Sequence, residues 1–456
     1  MDERTPAWGI QPVPERLRVL GLVDTMLLWG NLSISLLVIV LGAVLVPALS
    51  LKQALLAILI GALAGNLLLG LAALIGADAR VPGMVVLRAP LGRRGSYVPT
   101  VVNVAQNLGW STFELIVIST AAAALSKKVF GFEARWAWAL LFGGVAVALA
   151  LLGPIGFVRR YVRKFAVWAV AASMLYLTWW ALDKSNLHQF WQAPGQGGLG
   201  LGSGIDVVIG SIVSWTPLAA DYTRFSRDRS SAFWGAAVGY FLPTLWCFGL
   251  GALLVLSRNV TDAADVPAAV AAGGAVSGLA LLALTVDESD EAFADIYSTA
   301  VSIQNVLPRA SQRLLIVLVS AAATAGAIAI DLRNYQAFLL LLGSVFVPLF
   351  GVLLADWLRA GAHYREADIF GARLWRFDQL AAWIVGFALY QWLSPQGPSW
   401  WTDAVAHLHP GHATWTASLP SFAAAFVLAT AAGLVFGRED ARRVGRRSRE
   451  PLPRPR

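Results

Sequence analysis

The segment Leu51–Ala77, LKQALLAILIGALAGNLLLGLAALIGA, decides the fold class. Beyond Lys52 and Gln53 it holds one polar side chain, Asn66, and about 20 such residues suffice to carry a helix across the ~30 Å hydrocarbon core of a bilayer. A strand of a membrane barrel would alternate polar and apolar residues, and this run does not. Leu314–Ile330 reads the same way. Over the whole chain of 456 residues, 57% are hydrophobic and 14% charged, whereas a soluble domain carries roughly a quarter charged residues. The expectation is an all-α polytopic membrane protein with about twelve spans. They fall at 20–46, 52–77, 96–125, 136–156, 163–182, 205–222, 232–257, 277–306, 313–330, 335–358, 378–394 and 420–436.

The net charge of +8 follows topology and does not form a nucleic-acid surface, because the basic residues are scattered through short loops. With a cytoplasmic N-terminus and twelve crossings, all the Lys and Arg residues fall on the cytoplasmic side except Lys52, Lys127, Lys128, Arg135, Lys184, Arg258 and Arg333. That bias obeys the positive-inside rule and predicts a multi-pass protein of the cell membrane with both termini in the cytoplasm. The N-terminus has no cleavable signal pattern. The one cysteine, Cys247, sits in an apolar run, so no disulfide framework is expected. The tails 1–19 and 438–456 read as solvated and largely disordered.

Five spans in 20–182 and five in 205–358 suggest an inverted repeat, because an odd number per half makes the second half enter from the opposite side. An external loop, 183–204, separates them, and two additional helices occupy 359–437. The leading span of each half is interrupted: Gly30, Asn31 and Ser33 in the first, Gly210, Ser211, Ser214, Thr216 and Pro217 in the sixth. Pro217 removes a backbone donor and breaks or kinks its helix. Backbone groups freed at mid-membrane depth must line a cavity or bind something, unless the kink serves packing alone.

The eighth span carries the densest polar signal. Asp287, Glu291, Asp295, Ser298 and Ser302 recur at helical spacing and form one stripe. Each carboxylate at the bilayer centre costs ~2.5–3.5 kcal/mol on insertion scales, so the group calls for a polar vestibule, protons or a cation. The alternative is that Asp287–Glu291 form an external loop. In the third span Asn107, Trp110, Ser111 and Glu114 make a second stripe, with Glu114 either a functional carboxylate or the anchor of a structural network. Gly61 with Gly65, and Gly235 with Gly239, are small-residue faces for close helix packing. Gly195, Gly197 and Gly200 spell GxGxxG, but no strand precedes them, so a nucleotide site is not expected. His407, His409 and His412 lie in a surface loop without supporting ligands and read as solvated. No P-loop, HExxH or nucleophile elbow occurs, so the chain is not read as an enzyme and a gradient must supply the energy.

Five stretches together resemble the purine/cytosine permease family, the nucleobase:cation symporters. They are Leu28–Ser33 (LWGNLS), Gly95–Glu114 (GSYVPTVVNVAQNLGWSTFE), Ser214–Phe225 (SWTPLAADYTRF), Asp287–Asn305 (DESDEAFADIYSTAVSIQN) and Val347–Leu358 (VPLFGVLLADWL). The resemblance implies the five-plus-five inverted repeat of the leucine transporter with two extra C-terminal helices. It also implies a planar heterocycle held between Trp110 and Trp215, with polar contacts from Asn107, Glu114, the backbone around Ser214, and Gln304. By the same resemblance a sodium ion would bind among Asn31, Ile34, Asp295, Ser298 and Thr299. Glu114 and Gln304 stand where a hydantoin-transporting relative has an amide and an asparagine, and Asp295 beside the cation site brings in a proton as the coupling ion. The expected partners are therefore a small heterocycle (cytosine, a purine or a related aminopyrimidine), Na+ or H+, and the lipid bilayer. A thiamine-precursor pyrimidine, a hydantoin or an amino acid is the alternative solute. A channel and a membrane-embedded enzyme fit the sequence less well.

Overall fold

The computed structural model describes residues 9–157, 167–183, 185–258, 260, 263–330, 335–408 and 415–447. Each of the twelve expected spans is helical in it. The first is broken into α1 (Leu22–Asn31) and α2 (Leu36–Val44), bent by 60°. Next come α3 (Leu51–Ala79), α4 (Tyr97–Phe130), α5 (Arg135–Phe157) and α6 (Val167–Leu182). The sixth span is interrupted at Ser214 and Trp215, between α7 (Leu201–Val213) and α8 (Thr216–Thr223), but without the sharp bend of the first, because both residues keep right-handed helical backbone angles. The rest are α9 (Arg229–Arg258), α10 (Ala275–Asp287) running into α11 (Ser289–Val306), α12 (Gln312–Ala329), α13 (Tyr335–Arg359), α14 (Phe377–Leu393) and α15 (Ser418–Arg447).

Among the described residues, eight helices are long and apolar enough to cross a bilayer, and the bent pair α1–α2 adds a ninth. The other three spans escape that description for plain reasons. Helices α6 and α14 are 16 and 17 residues long, and α10–α11 carries too many acids. Among the described residues the only β-bridge joins Leu20 to Ser226, so there is no sheet.

Local chemistry sets many of the helix ends. Ser50 and Gln53 form a reciprocal capping box at the start of α3, which satisfies two otherwise orphaned donors. Ser35 caps α2 and Ser311 caps α12. The small-residue faces are used as expected. A Cβ on Gly61 would fall 2.6 Å from the Val208 side chain of α7, and one on Gly235 would fall 2.5 Å from that of Thr25 in α1. Glycine there lets α3 reach α7 and α9 reach α1 at backbone distance, as membrane packing requires where lipid supplies no hydrophobic drive.

Two expectations about the tails are corrected. Residues 9–19 are packed, not loose: Val13 is buried and its N–H bonds Arg80 O at 2.9 Å, while Leu20 N–H bonds Phe225 O at 3.1 Å. At the other end α15 runs on to Arg447, ten residues beyond the expected boundary at 437. Residues 195–200 form no strand, and Gln196 and Gly197 bond Pro47 O and Ala48 O. His407 closes a short helix, whereas His409 and His412 lie outside the described residues.

Candidate functional site

The two interrupted spans bring their breaks to the same acidic ground on α10–α11. At the first break the α2 N-terminus presents backbone N–H groups with no intrahelical partner. Glu288 meets them: its carboxylate accepts from Ser35 Oγ at 2.7 Å, Leu36 N at 2.8 Å and Leu37 N at 3.4 Å. An anion is the fitting partner for a helix N-terminus. At the second break a side chain again receives a backbone group, with Gln106 Nε2 donating to Ser214 O at 2.9 Å. Ser33 Oγ ties the first break to α9 by donating to Tyr240 O at 2.9 Å.

A narrow cavity of about 20 Å3 lies between the breaks, room for about one water molecule. Trp110 of α4, Trp215 at the α7–α8 break and Tyr240 of α9 line it together with Ser211, Ser214 and three carboxylates, Glu114, Glu291 and Asp295. Leu37, Val38 and Leu41 of α2 close its apolar side. The two tryptophans belong to separate aromatic clusters. Trp215 packs edge-on against Trp29 at 6.0 Å and tilted against Tyr240 at 6.2 Å. Trp110 packs edge-on against Phe338 at 5.5 Å and Phe113 at 6.5 Å. A crevice of about 30 Å3 lined by Ala72, Ile75, Met84, Pro217, Phe346 and Phe350 offers almost no polar group, so it has nothing with which to orient a heterocycle.

The carboxylates crowd one another. Glu114, Glu288 and Glu291 each place an oxygen within 4.8 Å of the others, and all three are buried. Like charges so close in a low dielectric cannot all stand ionised unaided, so the trio must share protons or hold a cation. Close by in sequence, Asn31 Nδ2 donates to Asp287 Oδ1 at 3.2 Å and to Asp290 Oδ2 at 2.5 Å. Asn31 Oδ1, Asp287 Oδ2 and Asp290 Oδ1 are buried acceptors without a hydrogen-bond partner. The reading of Asp287–Glu291 as an external loop is therefore overturned. All five residues are buried at the α10–α11 junction, near the middle of the span.

Of the residues expected to touch a heterocycle, Trp110, Glu114, Ser214 and Trp215 meet at the cavity. Asn107 does not line it; one turn before Trp110, its Oδ1 accepts from Gln106 at 3.3 Å and its buried Nδ2 has no partner. Gln304 is placed elsewhere. Its Nε2 donates to Ala310 O at 2.8 Å, and it lines a separate opening with Gly9, Ile10 and Arg313. Nine residues of helix, about 13 Å at 1.5 Å per residue, separate it from Asp295. At about 3.6 residues per turn those nine residues also carry Gln304 half a turn around the helix, so it lies off the Asp295 stripe in direction as well as in depth.

The expected cation set is divided in the same way. Asn31 stands with Asp287 and Asp290, and the Ile34 N–H bonds Asn31 O at 3.1 Å within the break. Ser298 Oγ donates to Tyr222 OH of α8 at 3.3 Å, Thr299 Oγ1 donates to Asp295 O at 2.7 Å in its own helix, and Asp295 lines the aromatic cavity. The acids that face the first break lie two to three turns earlier on the helix than the hydroxyls named for the cation. Sequence reasoning also missed Tyr240 and the capping by Glu288. Tyr240 has only Thr244, one turn on, as a polar neighbour in its span, and the Thr244 hydroxyl turns back to the Tyr240 carbonyl at 2.7 Å, whereas Glu288 was visible as an acid but not as a cap.

The family described as "Permease for cytosine/purines, uracil, thiamine, allantoin" matches residues 12–410. Among curated proteins, the cytosine permease of Escherichia coli (strain K12) is 26% identical over 395 residues, covering 84% of this chain and 88% of that protein. The hydantoin permease of Microbacterium maritypicum is 24% identical over 341 residues, 67% of this chain and 68% of its own. The fold matches that of Mhp1, a nucleobase-cation-symport-1 family transporter, in a closed conformation with bromovinylhydantoin bound. That match has a TM-score of 0.79 at 18% identity and covers 96% of this chain and 97% of the other.

Proposed function

The chain belongs to the family of permeases for cytosine/purines, uracil, thiamine and allantoin, a nucleobase–cation symport transporter by descent, and from that premise we propose what it carries and how. The solute is an amino-substituted planar heterocycle such as cytosine or a purine, imported with a small cation. The observation that carries this reading is the cavity that Trp110, Trp215 and Tyr240 line together with Glu114, Glu291 and Asp295 between the first break and the α7–α8 junction. Flat aromatic walls stack a ring, and an ionised carboxylate accepts from ring N–H and exocyclic amine groups while offering nothing to a donor-poor edge.

A cavity of about 20 Å3 admits such a ring only when its walls part. Alternating access supplies that motion: the interrupted spans move against the remaining helices and open the site to one side at a time. The coupling cation, Na+ or H+, is assigned to Asn31, Asp287 and Asp290, whose unpartnered oxygens form an all-acceptor group at the first break. One positive charge moving down ~100 mV yields ~2.3 kcal/mol. The distribution of Lys and Arg supports a reading in which the chain lies in the cell membrane with both termini on the cytoplasmic side.

The test is uptake into proteoliposomes of labelled cytosine, adenine, guanine and uracil, with sodium and proton gradients imposed separately. Saturable, gradient-dependent uptake of an amino-substituted base over uracil is the expected result. Uracil carried as well as cytosine removes the solute reading, and uptake indifferent to both gradients removes the coupling.

A further inference from the structure

The geometry points to the amidinium form of the solute: the cavity between the helix breaks takes a planar ring whose N–C–NH2 edge is protonated and positively charged. This deepens the reading of that cavity as the transport site and rests on it. Three features of the lining converge. Glu114, Glu291 and Asp295 are acids, and no Lys, Arg or His stands among the lining residues to neutralise them. Glu114 Oε2 and Glu291 Oε1 are buried and accept from no N–H or hydroxyl of the protein, with only the neighbouring carboxyl groups close to them, and buried acceptors that must rely on one another are poorly met. Trp110, Trp215 and Tyr240 present the aromatic faces and edges that enclose organic cations.

A neutral amidine edge has one donor group and one lone pair, so it can meet only part of this acceptor set. Protonation of the ring nitrogen turns that lone pair into a second N–H. The edge then offers two parallel donors of matched spacing to a carboxylate, the charge-assisted and bidentate arrangement that is about twice as strong as its neutral counterpart. It also brings a positive charge into a site where Glu288 stands within 4.8 Å of the Glu114 and Glu291 oxygens. A neutral base leaves that crowding of carboxylates as it was.

The experiment uses two probes of one shape, benzamidine, which is an amidinium cation at neutral pH, and benzamide, its neutral isostere, with cytosine as the reference nucleobase. Their binding to the purified full-length protein is read from competition against labelled substrate and from ligand-induced thermal stabilisation. Benzamidine is expected to bind at least ten-fold more tightly than benzamide, and Glu114→Gln combined with Glu291→Gln to erase that preference. Equal binding of the two probes to the unaltered protein overturns the amidinium reading and leaves the heterocycle transporter standing if cytosine still binds. Absence of binding by all three overturns both. A preference for benzamidine that survives the double substitution in a protein that still melts cooperatively also overturns it, because the charge would then be read elsewhere.

Discussion

Replacing Glu288 by Ala tests the idea that the first break is held open by a carboxylate. In the parent protein that side chain accepts from Leu36 N at 2.8 Å and Ser35 Oγ at 2.7 Å, with a longer bond to Leu37 N at 3.4 Å. Leu37 N keeps another partner in Ser35 Oγ at 3.0 Å, so two buried donors lose their acceptor. Each costs ~1–3 kcal/mol when left unmet, or about 2–6 kcal/mol together. Relief of the crowding with Glu114 and Glu291 offsets part of this. Glu288→Gln separates the two effects, since the amide keeps one acceptor and removes the charge. The expected order of melting temperature in detergent is therefore parent, then Glu288→Gln, then Glu288→Ala, with hydrogen exchange at the Leu36 amide rising in the same order. Substrate uptake falls with it, because the 60° bend loses its support. A Glu288→Ala protein that melts within about 1 °C of the parent, protects Leu36 equally and transports at the parental rate would refute the reasoning.

Three further outcomes follow from the placement of the other residues. Trp110→Ala and Trp215→Ala should each weaken substrate binding by about ten-fold or more, since stacking on an aromatic face is worth ~1–3 kcal/mol; equilibrium binding to purified variants measures it, and unchanged affinity would sink the aromatic sandwich. Gln304→Ala should leave that affinity unchanged within about two-fold, because its side chain bonds Ala310 O well away from the cavity and a contact not made contributes no binding energy; a large loss would return Gln304 to the substrate site. Asp290→Asn should abolish the response of uptake to the coupling gradient, whereas Ser298→Ala with Thr299→Ala should preserve it, which reverses the order expected from the hydroxyl-lined cation site; gradient-jump uptake in proteoliposomes distinguishes the two.

Much of this protein was legible before any coordinates, for a physical reason. Lipid permits few backbone solutions, so runs such as Leu51–Ala77 could only be helices, and the helical segments, with the first sharply bent and the sixth interrupted, were readable from apolar length and from Gly30 and Pro217. The acids of the eighth span and Glu114 stood out because buried charge is costly wherever the helix sits. Periodicity also assigned Trp110 and Glu114 to one face, and both reached the cavity. What a stripe leaves open is depth and partner. Asp295 and Gln304 share a helix, yet one lines the cavity and the other faces Gly9. Ser298 and Thr299 have the chemistry for a hard cation, but their hydroxyls bond Tyr222 and the Asp295 carbonyl. Tyr240 joined the site, and Glu288 became a cap, only when α9 and α11 packed against the broken span. Sequence by itself determined which side chains had to find partners inside the membrane; the packing of helices distant in sequence decided which partner each one found.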